Sequence, residues 1–206
     1  MISCKIGNVL DVKSGIIVHG CNCQGVMGSG IAREIKERFP IVFETYHSRP
    51  LRMGEIIPVQ LSETKWIVNA MTQYGFGHGK RQVDYDAVAN VFEKVVELAK
   101  TLPVQLPILF PKIGAGLGGG DWEIIAKIID RTVPKEFEKQ LYVLSEAEVP
   151  SDLTFENVLF PRQMIYGGFE ALVKHAVDVG YKYVAWNDRI YKVSEISDTN
   201  KTIQDL

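Results

Sequence analysis

The sequence has little of what marks secreted, membrane-bound or nucleic-acid-binding proteins. Its 206 residues include only three cysteines, an odd and sparse number that builds no disulfide framework and favours a reducing compartment. No apolar run approaches the roughly 20 residues needed to span a bilayer, and the first residues do not resemble a signal peptide. Acidic residues (25) nearly balance basic ones (23), which argues against broad electrostatic binding to nucleic acid or anionic membranes. We therefore expect a cytoplasmic protein without a membrane partner.

Glycine, by contrast, is clustered. A first group of the 18 glycines lies between Gly20 and Gly30, directly after the apolar run Gly15–Gly20 and before a stretch with helical periodicity, Ser29–Phe39. This placement predicts a buried strand, a loop and a helix whose free N–H groups and positive dipole end suit an anion such as phosphate. A tight turn without a ligand is the alternative interpretation.

A second glycine cluster repeats this arrangement. The segment Pro111–Trp122 follows the apolar run Pro107–Phe110 and precedes a helix that Asp121 can cap. Because ligands in open α/β sheets bind beyond the carboxyl ends of the strands, two such loops on neighbouring parallel strands would hold a diphosphate from both sides. Neither loop is a P-loop, and the first does not have the Gly-x-Gly-x-x-Gly fingerprint of dinucleotide-binding folds.

The rest of the chain alternates strands and helices, which predicts an α/β sheet with helices on its faces. Further strands are expected at Ile2–Ile6, Glu55–Leu61, Trp66–Ala70 and Gln140–Leu144, the middle two as a hairpin, and further helices at Ile41–Ser48 and Asp84–Lys100. The acidic, proline-containing segment Glu146–Asp152 suits a linker. We therefore divide the chain into a domain of residues 1–146 and a small C-terminal α+β appendage of residues 147–206, with a strand, a helix, a β-hairpin and a loose tail.

Several stretches resemble the macro domains, a family whose members bind ADP-ribose: Gly7–Val9, His19–Ala32 and Pro111–Trp122. The resemblance runs from about Ile2 to about Leu144. It implies a three-layer α/β fold with a mixed, mostly parallel sheet between helices. Within the family, the His-x-Cys-Asn-Cys motif and the Lys80–Tyr85 segment resemble the yeast-type ADP-ribose 1″-phosphate phosphatases.

The resemblance also implies which residues contact the ligand. Asn8, followed by Val9, falls where many macro domains have an aspartate that accepts a hydrogen bond from the adenine amino group. Asn22 matches an asparagine that faces the distal ribose. The two pyrophosphate loops correspond to Gly25, Val26, Met27, Gly28, Ser29, Gly30 and Ile31, and to Ile113, Gly114, Ala115, Gly116, Leu117 and Gly118.

The candidates for catalysis are His19, Asn22, His78 and Lys80. His19 is the favoured acid or base, because it lies close to the asparagine expected at the reacting ribose and because histidine suits proton transfer near neutral pH. A hydrogen-bonded structural histidine is the alternative. The glycine-rich segment Thr72–Gln82 is either a lid that carries His78 and Lys80, with Arg81, to a terminal phosphate or a plain crossover. Neither a metal nor another cofactor is expected, since His19, Cys21 and Cys23 would need further ligands.

Departures from the family pattern bear on the reaction. Macro domains that remove ADP-ribose through a lysine–sugar intermediate carry that lysine where this chain has Met71–Tyr74, and an aspartate where it has Gly118, so this route is not expected. The resemblance therefore implies hydrolysis of ADP-ribose 1″-phosphate to ADP-ribose and phosphate. One alternative is removal of ADP-ribose from protein or nucleic acid, the only role in which a nucleic-acid partner is expected. The other is non-catalytic binding of ADP-ribose or NAD-derived signals.

Overall fold

The computed structural model describes residues 2–77, 80–145, 158–159, 169–179, 183–186 and 189–192. The chain divides into two compact units, residues 1–153 and 154–206. The sequence-based boundary after residue 146 stays a prediction. The expected linker Glu146–Asp152 and the tail Ser194–Leu206 lie outside the described residues.

The helices and strands of the first unit follow the predicted order. The strands are β1 (Ser3–Ile6), β2 (Gly15–Asn22), β3 (Ile56–Ser62), β4 (Lys65–Gln73), β5 (Ile108–Phe110) and β6 (Lys139–Val143). The α-helices are α1 (Gly30–Arg38), α2 (Pro40–His47), α3 (Tyr85–Thr101) and α4 (Trp122–Thr132), and a 3₁₀ turn covers Val9–Asp11. Pro40 separates α1 from α2, because its ring suits a first helical position but cannot continue a helix.

The strands of this unit form one mixed sheet in the order β1-β6-β5-β2-β4-β3. β3 and β4 pair antiparallel, as the predicted hairpin requires, and the other neighbours pair parallel. β2 lies inside the sheet and is buried along most of its length, which explains its apolar sequence. It continues to Asn22, two residues beyond its predicted end, because it keeps pairing with β4. The predicted fold class, with a mostly parallel sheet between helices, is confirmed.

Helices cover both faces of the sheet. On one face, Ile35 of α1 and Val42 of α2 share a buried cluster with Leu109 of β5. The next residue, Phe110, points to the opposite face, where its ring meets that of Phe92 of α3 edge-on at 5.5 Å. Helix α3 packs against α4, so the two helix layers enclose the sheet.

The second unit contains the element types that the sequence indicated. β7 (Val158–Leu159) pairs parallel with β8 (Tyr183–Trp186), and β8 pairs antiparallel with β9 (Arg189–Lys192). Helix α5 spans Phe169–Val179. Residues 187 and 188, which separate β8 from β9 in the sequence, lie outside the described residues. In the ranges that the structure describes, no helix is long and apolar enough to cross a membrane.

Candidate ligand-binding site

The two glycine loops lie side by side. β2 and β5 are parallel neighbours, with Ile16 opposite Ile108, so the loops that follow Asn22 and Phe110 leave the sheet at the same edge. A Cβ added to Gly30 of the first loop would lie 3.9 Å from Leu117 Cδ1 of the second. The structure thus brings together the two segments that the sequence analysis selected for a diphosphate.

Asn22 organises the start of the first loop. Its side-chain oxygen accepts hydrogen bonds from the backbone N–H groups of Gln24 (3.0 Å) and Val26 (3.2 Å), and its amide nitrogen donates to Val26 O at 2.7 Å. Only 7% of Asn22 is exposed. These contacts leave one amide hydrogen of Asn22 for a ligand. The expected contact between Asn22 and a ribose is compatible with this geometry and stays a prediction.

The first loop leads into α1, whose N-terminus has no side-chain cap. Ser29 occupies the N-cap of α1 in an extended conformation but makes no side-chain cap hydrogen bond. Residues 28–30 are exposed, so the first N–H groups of α1 are accessible to an anion. Two helices on the other face are capped: Asp84 accepts from Ala87 N in α3, and Asp121 accepts from Glu123 N in α4.

The second loop folds tightly upon itself. Gly119 N donates to Gly116 O at 3.0 Å, and Gly120 N donates to Gly114 O at 2.9 Å. Gly118 is buried in this turn, and a Cβ at that position would lie 2.6 Å from Gly114 O, so the observed backbone leaves no room for a side chain there. The N–H groups of residues 116–118 donate to no described residue, which makes them available to a ligand.

The segment before α3 lies against the second loop. Gln82 N and Val83 N both donate to Gly118 O, at 2.8 and 3.1 Å, and a Cβ on Gly119 would lie 3.3 Å from Arg81 Cα. This placement brings the backbone of the exposed residue Lys80 next to the second loop. His78, the other candidate from this segment, lies outside the described residues.

His19 lies in the core rather than on the surface that the two glycine loops form. None of its surface is exposed, and its Nε2 donates to Asn69 Oδ1 at 2.8 Å. The amide nitrogen of Asn69 donates to backbone oxygens of α2 and β3, which fixes which side-chain atom faces the imidazole. Burial lowers the pKa of His19 to about 4. The geometry favours the structural alternative, and the acid or base role that the sequence suggested for His19 has no support in it.

Asn8 serves as a helix cap as well as a candidate ligand contact. Its side-chain oxygen accepts from Leu10 N at 2.9 Å, and its amide nitrogen donates to Glu34 Oε1 at 2.7 Å. Arg38 binds the same carboxylate at 2.9 Å. Sequence reasoning missed Glu34 because it lies 26 residues from Asn8. The periodicity of the α1 sequence indicates only that Glu34 belongs to the polar face of the helix. Val9, beside Asn8, is buried.

The side chains of the two loops include both buried anchors and exposed positions. Met27 and Ile113 are buried, whereas Val26 and Leu117 are 38% and 57% exposed. Within the described ranges, no group of three or more histidine, cysteine, aspartate or glutamate side chains is arranged to hold a metal ion. The accessible polar groups of this site are therefore mainly backbone amides, which suit the oxygens of an anion.

Comparison with known proteins agrees with this geometry. The family model described as "Macro domain" matches residues 18–129. A DNA ADP-ribosyl glycohydrolase of Mycobacterium tuberculosis is 32% identical over 130 residues, which cover 60% of this chain but only 36% of that protein. An ADP-ribose 1″-phosphate phosphatase of Scheffersomyces stipitis is 25% identical over 167 residues, covering 68% of this chain and 95% of the relative. The structure of the macrodomain of Thermus aquaticus DarG superposes with a TM-score of 0.60 at 25% identity, covering 69% of this chain and 97% of that one. This chain belongs to the macro domain family.

Proposed function

We propose that the two neighbouring glycine loops bind ADP-ribose. The observation that carries this proposal is the pairing, on adjacent parallel strands, of an uncapped α1 terminus with a second loop in which the N–H groups of residues 116–118 donate to no described residue. Two sets of amide donors on neighbouring loops suit the two phosphates of a nucleoside diphosphate. Asn22 at the end of β2 and Asn8 after β1 are the proposed contacts for the distal ribose and the adenine.

The proposed reaction is hydrolysis of ADP-ribose 1″-phosphate, in which water is consumed and ADP-ribose and phosphate are released. The phosphatase of Scheffersomyces stipitis, which this chain matches over most of that protein's length, supports this choice. Lys80 supports it as well, because its backbone is held beside the second loop and its ammonium group suits a terminal phosphate. Cytoplasmic location stays a prediction.

Release of ADP-ribose from a macromolecule is the competing reaction, supported by the mycobacterial relative. Two observations weigh against the lysine-dependent form of it. The residues at the end of β4 include no lysine from Met71 to Tyr74. Gly118, where the resemblance expects an aspartate, has no room for a side chain in the observed loop.

Product identification tests the proposal. The protein is incubated separately with ADP-ribose 1″-phosphate, ADP-ribosylated protein and ADP-ribosylated DNA, and released phosphate and ADP-ribose are quantified by chromatography. Phosphate release from the first substrate alone is the expected result. Release of ADP-ribose from a macromolecule would replace the phosphatase by a glycohydrolase. Tight ADP-ribose binding by calorimetry without turnover would leave a non-catalytic reader, and equal affinity for AMP and ADP-ribose would contradict the diphosphate site itself.

A further inference from the structure

Two consecutive residues at the end of α2 contact the first glycine loop. Tyr46 donates its hydroxyl hydrogen to Asn22 O at 2.5 Å, and His47 donates from Nδ1 to Gly25 O at 3.1 Å. A backbone carbonyl only accepts, so the direction of both bonds is fixed. The loop is therefore held from outside at its beginning and at its turn.

The contact from His47 fixes one particular peptide group. Gly25 has φ +75°, and a Cβ at that position would lie 3.0 Å from His47 Nδ1, so the backbone packs directly on the imidazole. The carbonyl of the Gly25–Val26 peptide accepts from His47, and the N–H of the same peptide donates to Asn22 Oδ1 at 3.2 Å. Because C=O and N–H point in opposite directions across a trans peptide, these two side chains hold its opposite ends.

His47 makes this hydrogen bond from the protein surface. Its ring is exposed and stacks on Phe43, with 5.3 Å between centroids and 22° between planes, and Lys36 Nζ lies 4.1 Å from the centre of the Phe43 ring. Tyr46, in contrast, is fully buried. Substitution of His47 therefore alters the loop contact without opening a cavity in the core, whereas substitution of Tyr46 would do both.

We infer that His47 is a positioning residue for the phosphate-binding loop: its Nδ1–H sets the orientation of the Gly25–Val26 peptide and, through it, of the amides that lead into α1. This inference rests on the proposed binding of ADP-ribose at that loop. It assigns His47 no contact with the ligand.

Two substitutions of His47 distinguish the effect of its N–H donor from that of its ring. H47F keeps a ring to stack on Phe43 but removes the N–H donor. H47N keeps a donor the same number of bonds from the backbone. T45A on the same helix, where the Thr45 hydroxyl donates to Ile41 O and to no other described residue, is the matched control. Calorimetry with ADP-ribose should show roughly three- to tenfold weaker binding for H47F, as expected for one lost hydrogen bond, and near wild-type binding for H47N and T45A. Equal affinity of H47F and wild type, or equal weakening in H47F and H47N, would overturn the inference.

A measurement without ligand keeps this test independent of the proposed function. Solvent exchange of the Val26 amide, followed by NMR, should be severalfold faster in H47F and unchanged in H47N and T45A, because the peptide loses the partner of its carbonyl. Unchanged exchange in H47F overturns the positioning role even if ADP-ribose binds. Absence of ADP-ribose binding in the wild type, with faster exchange in H47F, would contradict the proposed function while leaving the loop contact established.

Discussion

The two glycine loops share a topology but present different electrostatics. Each follows a buried parallel strand, β2 or β5, and each leads into a helix. The first leads into α1, whose N-cap Ser29 makes no side-chain hydrogen bond. The second leads into α4, where the carboxylate of Asp121 accepts from the N–H groups of Glu123 and Ile124. The N-terminus of α1 is therefore accessible to a ligand, whereas the N-terminus of α4 is occupied by the Asp121 side chain.

This difference assigns separate tasks to the two loops. An anion at α1 gains from both N–H donors and the helix dipole. An anion at the second loop gains from the amides of the turn, while the adjacent carboxylate opposes it. We therefore expect most of the electrostatic contribution to diphosphate binding to come from the first loop, and the second loop to contribute mainly shape and hydrogen bonds.

The largest expected effect comes from a negative charge placed in the first loop. Gly28 is exposed, and the nearest atom to an added Cβ is Val26 Cγ1 at 3.8 Å, so G28E does not disturb the fold. Its carboxylate would enter the anion site at α1, and like charges a few ångström apart weaken binding by roughly a hundredfold or more. Calorimetry with ADP-ribose measures the loss.

G28A and G116E are the controls for this experiment. G28A adds no charge and should bind within a few-fold of wild type. Gly116 in the second loop also has open space around an added Cβ, and G116E should weaken binding less than G28E. A larger loss in G116E than in G28E would reverse the division of tasks between the loops.

The strands beneath the loops differ as well, and this difference predicts a pH effect. Phe110 of β5 packs on Phe92, whereas His19 of β2 is buried against Asn69. The pKa of His19 is lowered to about 4 in the folded chain, against an ordinary value near 6.5. Between about pH 4 and pH 6.5, His19 is therefore protonated in the unfolded chain and neutral in the folded one. The free energy of unfolding falls as pH drops through this range, by an amount on the order of 3 kcal/mol.

Denaturant unfolding at several pH values between 7 and 4 checks this effect. H19Q keeps a donor toward Asn69 but does not titrate, so its free energy of unfolding should fall less steeply over the window than that of the wild type. H19A should lower stability at neutral pH, because it leaves a cavity and an unpaired Asn69 oxygen. Parallel pH profiles for wild type and H19Q would contradict the lowered pKa of His19, and a sharp loss of turnover in a fully stable H19A would support its acid or base role.

The sequence predicted the loops well and their partners poorly. Apolar runs followed by glycine placed both loops after parallel strands, and Asp121 was recognised as a cap because a cap is a local feature. In the structure, Cys21 Sγ lies 3.6 Å from His19 Nε2, so these two side chains of β2 share one face of the sheet. The sequence around His19 does not determine whether that face contacts a ligand or the helices α1 and α2, because this depends on how distant parts of the chain connect the strands.

Long-range polar contacts were beyond sequence reasoning for the same reason. His47 and Gly25 are 22 residues apart, and Asn69 and His19 are 50 apart. Each pair meets because the sheet order brings β2, β4 and α2 together. Residue types mark such side chains as capable of hydrogen bonding, but only the packed fold identifies their partners.

A smaller effect is expected from giving the first loop the cap that the second one has. Ser29 already has the extended backbone, φ −154° and ψ 166°, that N-cap residues adopt. S29D should raise the free energy of unfolding by roughly 0.5–1 kcal/mol, because its carboxylate caps α1. It should also weaken ADP-ribose binding by roughly tenfold, since the carboxylate competes for the same N–H groups. S29N, a neutral cap, should weaken binding less; tighter binding by S29D would contradict the anion site at α1.

The smallest effect on binding is expected from the reverse change in the second loop. D121A removes the side chain that accepts from Glu123 N at 2.8 Å and should lower the free energy of unfolding by about 1 kcal/mol. D121N, which retains a cap without the charge, should lose less. Affinity for ADP-ribose should stay within about twofold in both variants or rise slightly, because the helix terminus of α4 is not where the ligand binds and a nearby negative charge has been removed. Chemical denaturation and calorimetry on the same samples give the two quantities. A tenfold fall in affinity with intact folding would show that the capped terminus takes part in binding after all, and the two loops would then be equivalent.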